Sequence, residues 1–232
     1  TTGYEEAAAQ GLIAGINAAL SIKKSEPFIL DRSDAYIGVM IDDLVTKGVA
    51  EPYRMFTSRA EYRLSLRADN ADQRLTPVGI KLNVVSNSRA TNFLDKQKKL
   101  IHITNALEKK LISPNEAVKF DIKISQDGVM RSALELMSQR NVNMAKIRQI
   151  WNDIPSYGGD LDEQVVFDAH YSGYLKRQSH DIEVFKKDEN IEIPSGINFD
   201  KLSGLSNEVK SKLNMIRPRT LGQALRIDGI TP

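Results

Sequence analysis

Over residues 86–111 the side chains Phe93, Leu94, Gln97, Leu100, Ile101, Thr104, Leu107 and Leu111 recur at spacings of three and four. A helix of 3.6 residues per turn gathers such a set on one stripe, whereas a strand alternates every two residues. The stripe is far longer than a typical strand, so this part of the chain is committed to helix. The same spacing recurs elsewhere. Ile37, Met40, Ile41 and Leu44 predict a helix over 34–47 that stops at Gly48, and Val165, Tyr171, Tyr174, Leu175, Ile182 and Phe185 predict a long one over 161–187. Asn143 is a candidate cap for a helix with Met144, Ile147, Ile150 and Trp151 turned inward, and Ser206 for one carrying Val209, Leu213 and Ile216. Thr220 followed by Gln223 forms a capping-box pattern ahead of Leu221, Ala224, Leu225 and Ile227. A further helix is expected over 130–140 and a short strand over 119–125, ending at Asp127-Gly128. The expected fold class is mainly α, without an internal repeat.

Composition removes several kinds of chemistry. The chain has no cysteine, so disulfides, thiolate metal sites and cysteine nucleophiles are excluded. His102, His170 and His180 are scattered without ligand spacing, and no metal is expected. No apolar run reaches 18 residues, so no membrane partner is expected. The lack of cysteine fits a reducing, cytoplasmic setting.

Residues 1–20, TTGYEEAAAQGLIAGINAAL, read as a helix dense in Ala and Gly, with Thr1 or Thr2 as cap and Glu5 and Glu6 suited to its positive end. The opening reads as the interior of a longer chain, with no initiator Met and no signal-peptide pattern. Small side chains permit close approach either by a sheet or by a cofactor, and both remain open here. Residues 21–33 read as a linker.

Charge is placed unevenly. Residues 81–119 hold 8 Lys/Arg against 3 acids, and residues 201–232 hold 6 against 2. Within 51–76, EPYRMFTSRAEYRLSLRADNADQRLT, five arginines (Arg54, Arg59, Arg63, Arg67, Arg74) sit among Tyr53, Phe56 and Tyr62. If Thr57 or Ser58 caps a helix, Arg59, Arg63 and Arg67 stack along one face while Phe56, Tyr62 and Leu66 anchor the others. If the segment is a strand, Arg63 and Arg67 still share a face. Asn70, Thr76-Pro77 and Gly79 mark the expected exit. Bidentate contact with phosphate would offset the repulsion among the guanidinium groups. Glu51, Glu61, Asp69 and Asp72 lie in the same stretch, and an internal ion-pair lattice explains the pattern equally well.

TTGYEEAAAQG at 1–11, the 26-residue stretch at 51–76 and GLSNEVKSKLN at 204–214 together resemble the MnmG (GidA) family. These are FAD-dependent enzymes that modify the wobble uridine of tRNA. The resemblance implies a C-terminal helical region of a flavoprotein, preceded by the last helix of its α/β FAD-binding domain. It implies FAD and NADH as cofactors of the whole enzyme, tRNA and the GTPase MnmE as partners, and a homodimer. With MnmE and methylenetetrahydrofolate, family members build a carboxymethylaminomethyl or aminomethyl group on C5 of that uridine. The glycine-rich dinucleotide fingerprint is not found in these residues, so this stretch alone is expected to be inactive and to carry no catalytic residue. By position, Thr2, Gly3, Tyr4 and Glu5 would face the flavin. Arg54 and Arg63 are first choices for tRNA phosphates, with Arg59 and Arg67 supporting and Glu61, Asp69 and Asp72 holding some arginines in place. Lys176 and Arg177, after Tyr171 and Tyr174, are either a contact for tRNA or MnmE or a solvated helix face. The expected divisions are 1–33, the end of the FAD-binding domain; 34–160, a helical domain with the arginine segment; and 161–232, a docking subdomain for MnmE or tRNA. A standalone helical nucleic-acid-binding module and a purely structural helical domain are the competing readings.

Overall fold

A computed structural model of the chain describes residues 3–48 and 51–230. The elements, in order, are α1 (Tyr4–Ile22), α2 (Tyr36–Thr46), α3 (Ala71–Lys81), α4 (Asn87–Lys109), β1 (Leu111–Ile112), α5 (Pro114–Val118), β2 (Arg131–Ser132), α6 (Ala133–Leu136), α7 (Met144–Ile150), α8 (Gly159–Glu189), α9 (Asn207–Ile216) and α10 (Leu221–Leu225). The mainly α class holds. The proposed caps Thr1 and Thr2 lie outside the described residues.

Two compact units form, Thr1–Leu66 with Gln178–Pro232 and Arg67–Arg177. This division departs from the linear boundaries at 33 and 160. The chain returns to the first unit inside α8, through contacts of long sequence separation that leave no local signal.

The second unit grows from the α4 stripe. Leu100, Ile103 and Leu107 are buried and meet Ile122, Leu136, Met137, Ile147 and Val165 in one core. Ser86 caps α4 by accepting from the Arg89 N–H, and Asn143 caps α7 by accepting from the Lys146 N–H. Three expectations are corrected here. Residues 119–125 do not pair as a strand: a left-handed Asp121 closes the turn after α5, and Ile122 drops into the core. The strands are instead β1 and β2, antiparallel with Leu111 opposite Ser132. The helix expected over 130–140 is only α6, started by a capping box of Ser132 and Glu135. Pro77, expected to mark an exit, lies inside α3. An interior proline removes a helical hydrogen bond at a cost of about 3 kcal/mol, yet α3 continues through it to Lys81.

The first unit is organised around one buried cation. Arg32, 2% exposed, donates from Nη1 to Asp42 (3.1 Å) and Asp43 (2.7 Å), and from Nη2 to Glu61 (2.8 Å) and the Arg59 carbonyl (3.0 Å). Burial alone would lower its pKa, but the bonds to Glu61 and Asp43 outweigh that and hold the guanidinium above its ordinary range. The Tyr53 hydroxyl donates to Asp43 at 2.9 Å, and burial together with that carboxylate raises the phenol's pKa. Arg226, just past α10, binds Asp42 through both Nε and Nη2 at 2.8 Å, and it also pairs with Glu189 at the end of α8. Lys186 reaches Asp34 at 3.1 Å. Gly38 is required in the first turn of α2, because a Cβ there would strike the carbonyl of Asp31. At the last helices, Thr220 accepts from the Gln223 N–H as expected, while the Gln223 side chain returns to the N–H of Arg219.

Removing one member of a buried charge network strands its partners, at a cost of about 3–5 kcal/mol. Arg32→Met is therefore expected to destabilise the first unit by about 3–5 kcal/mol, read as a lower urea midpoint. A change under about 1 kcal/mol, the range of an exposed pair, would show that the network is solvated. Acid should act through the same network. Burial raises the Asp43 pKa, but Arg32 and Tyr53 more than reverse this, so the folded value lies below the unfolded one. Its stabilising contribution is then complete above about pH 4 and disappears as pH falls through the folded value. Asp43→Asn should be less stable than wild type at pH 7 and show a flatter loss of stability as pH falls below about 4. Equal acid slopes for the two proteins would contradict this.

Candidate nucleic-acid interface

The arginine-rich segment is neither helix nor strand. It runs extended through Phe56 (φ −107°, ψ 151°), makes one 3-10 turn at Thr57–Arg59, and continues in turns to the buried Leu66. Arg59, Arg63 and Arg67 therefore do not stack along a helical face. Local periodicity loses here because the segment is held from outside, residue by residue.

Three clamps hold it. Glu6, in the first turn of α1 and 5% exposed, accepts from the Met55 N–H at 2.8 Å and from Arg54 Nε at 3.3 Å. The Met55 N–H is the main reason the Glu6 carboxyl sits below its usual range, with its own N–H and Arg54 adding to the effect against burial. Arg32 takes the Arg59 carbonyl and the Glu61 carboxylate. Gln178 Oε1 accepts from the Ser65 N–H at 2.9 Å and from the Ser65 hydroxyl at 2.6 Å. Between the clamps, Tyr53 and Ala60 are buried, and Val39, Ala60 and Leu66 form a small core.

The arginines sort by what they touch. The Arg54 side chain is 53% exposed beyond its bond to Glu6. Arg59 donates to the Arg54 carbonyl at 2.8 Å and lies over the Tyr53 ring at 4.5 Å, with part of its guanidinium in solvent. Arg63 is exposed, with no hydrogen bond or ion pair among the described residues. Arg67 is the exception to the expected contact role. Its side chain is 8% exposed, paired with Asp69 (2.9 Å) and Asp168 (2.5 Å), and stacked on Tyr171 at 4.6 Å. Arg74 bonds Asn70 at 2.8 Å. Of the acids expected to steady the cluster, Asp69 holds Arg67, whereas Glu61 serves Arg32 and Asp72 pairs with Lys96.

Around the start of α1, Glu5, Glu6, Ala9, Tyr36, Ile37, Met40, Arg54, Met55 and Thr57 line a cavity of about 410 Å3. The helix begins at Gly3 without a side-chain cap. A Cβ at Gly3 would collide with the Glu6 carboxylate, so glycine is needed for that carboxylate to reach Met55. Tyr4 is 93% exposed and Glu5 is exposed, while Thr2 lies outside the described residues. Lys176 and Arg177 are exposed on α8 in the other unit. Phe56, expected to anchor the segment, instead stands 58% exposed.

Sequence reasoning missed Glu6, Arg32 and Gln178 as the residues that shape this surface. Nothing local marks them, since their partners lie 49, 29 and 113 positions away.

Comparison with known proteins converges on one family. Residues 87–179 match the profile described as tRNA modifying enzyme MnmG/GidA C-terminal helical domain, and 181–232 match its C-terminal helical bundle. Residues 1–26 match glucose inhibited division protein A. The tRNA uridine 5-carboxymethylaminomethyl modification enzyme MnmG of Caldicellulosiruptor saccharolyticus is 47% identical over the whole chain, which spans 38% of that protein. Its counterpart in Clostridium kluyveri is 45% identical, with 37% of its length spanned. A crystal structure of Aquifex aeolicus GidA superposes with a TM-score of 0.84 at 40% identity, over all of this chain and 37% of that one. The chain thus spans little more than a third of the relatives it matches, and it belongs to the MnmG/GidA family, as its C-terminal helical region.

Proposed function

We propose that this region docks tRNA for a flavin-dependent enzyme that modifies the wobble uridine at C5, adding a carboxymethylaminomethyl or aminomethyl group together with MnmE. The observation that carries the reading is the pair Arg54 and Arg63. Both guanidinium groups reach solvent from a backbone fixed by buried partners, and Arg63 spends none of its donors within the described residues. A planar cation held this way presents several N–H donors to phosphate oxygens at little cost in ordering. Arg59 adds a partly exposed guanidinium at the same place. Arg67 supports the fold of its own unit, not the contact, because its donors meet Asp69 and Asp168. Lys176 and Arg177 on α8, and the basic region of α9 and α10, are assigned to further contact with tRNA or MnmE.

FAD, with NADH as reductant, would supply the redox chemistry of the whole homodimeric, cytoplasmic enzyme. The residues at the start of α1 fit a flavin. The helix is uncapped, so the N–H groups of Gly3, Tyr4 and Glu5 can donate to ring oxygens. The acidic first turn suits a neutral ring better than a phosphate. Glu6 links this helix end to Arg54, so one carboxylate orients both the cofactor-facing turn and the RNA-facing arginine.

The test is a salt titration of tRNA binding by the full-length protein. Arg54→Ala and Arg63→Ala should each weaken binding and flatten the log–log salt slope by about 0.7–0.9 per lost phosphate contact. Arg67→Ala should lower thermal stability and leave the slope alone. Wild-type slopes in both of the first two variants would refute the assignment. A full-length protein that binds RNA but purifies without flavin would favour a binding module instead.

A further inference from the structure

Phe56 is a large aromatic side chain in the best-clamped part of the first unit, yet it is 58% exposed. Nothing mobile about its backbone accounts for this. The neighbouring Met55 N–H is bound to Glu6, the Phe56 carbonyl accepts from the Arg59 N–H at 3.0 Å, and Arg59 Nε holds the Arg54 carbonyl. Arg54, Met55 and Thr57 line the cavity at the start of α1, whereas Phe56 stands outside it with its ring in solvent. Tyr53, three residues earlier, shows the alternative: its ring is buried and its hydroxyl bonded. The segment therefore displays a ring from a held backbone, two residues along the chain from the partly exposed Arg54.

We infer that Phe56 is a stacking platform for an unpaired base of the RNA whose phosphates Arg54 and Arg63 hold. This rests on the docking role proposed above and adds to it a contact with a base. An exposed ring flanked along the chain by exposed arginines suits single-stranded nucleic acid, with a base on the aromatic face and neighbouring phosphates on the arginines. Duplex RNA cannot use it, because its bases are stacked on each other. An enzyme acting on a ring carbon of a base needs that base out of its stack, and a rigid aromatic face beside the phosphate contacts stabilises it there. The occupant follows from charge as well. Arg54 and Arg63 favour a polyanion, and Phe56 is followed by the exposed, hydroxyl-bearing Thr57 and Ser58, so a hydrophobic protein face is a poorer match.

Binding of a 17-nucleotide stem–loop RNA and of a blunt duplex of the same stem to the full-length protein tests this. Phe56→Ala should weaken stem–loop binding about tenfold, the scale of one lost base–aromatic stack, with the salt slope and duplex binding unchanged. Phe56→Trp should restore the affinity, and 2-aminopurine in the loop should be quenched by wild type and Phe56→Trp but not by Phe56→Ala. Unchanged stem–loop affinity in Phe56→Ala would overturn the inference. So would an equal loss on stem–loop and duplex, or loss of flavin, which would assign the ring to another site. The two readings fail separately: wild-type salt slopes in Arg54→Ala and Arg63→Ala would refute phosphate docking, while the loss in Phe56→Ala would still establish stacking.

Discussion

A guanidinium taken out of water must be surrounded by acceptors, and in the first unit Arg32 imposes that demand on everything near it. Its donors require Asp42 and Asp43 from α2, Glu61 from the arginine-rich segment and the Arg59 carbonyl. Asp42 then has surplus acceptor capacity, which Arg226 takes from the far end of the sequence while also holding Glu189. The network is a device for uniqueness more than for raw stability, since a well-packed apolar cluster of equal volume can be as stable. Its geometric requirement is what apolar packing lacks. The loop before α2, the segment near residue 60 and the end of α10 must all be in place for these donors to be satisfied together.

The helices were legible because their signals are local. The Asn143 and Ser206 caps and the inward set of α7 act within a few residues and appear where capping and periodicity place them. Of the α4 stripe, Phe93, Leu100 and Leu107 are buried, whereas Leu94 and Ile101 face solvent and Leu111 lies in β1. The misplaced elements failed for a related reason. Residues 119–125 have alternating apolar character, but Ile122 is claimed by the core and Asp121 turns the backbone left-handed, so no ladder can form. Pro77 is a strong local stop signal, yet α3 runs through it to Lys81. The division into units was illegible altogether, because it depends on pairs such as Asp42 with Arg226, 184 positions apart.

The candidate site shows the same limit more sharply. Counting charge over 51–76 treats five arginines alike, while burial and partners separate them completely. Arg67 and Arg63 are four residues apart in sequence and identical in chemistry. One is enclosed by two carboxylates and a tyrosine ring, and the other stands in solvent without a partner among the described residues. A family resemblance could point to the segment but not to this sorting, which requires knowing where Asp168 and Tyr171 lie.

The clamps also bear on the recognition role proposed for so irregular a segment. Loop residues that must be ordered on binding subtract that entropy from affinity, roughly 1–2 kcal/mol for each backbone residue fixed. Here Glu6, Arg32 and Gln178 fix the backbone beforehand, at Met55, Arg59 and Ser65. Helical or sheet structure would fix it too, but would turn alternate side chains inward at set intervals. A clamped irregular chain can bury Tyr53, Ala60 and Leu66 while presenting Arg54, Phe56 and Arg63 outward, a spacing that neither period supplies.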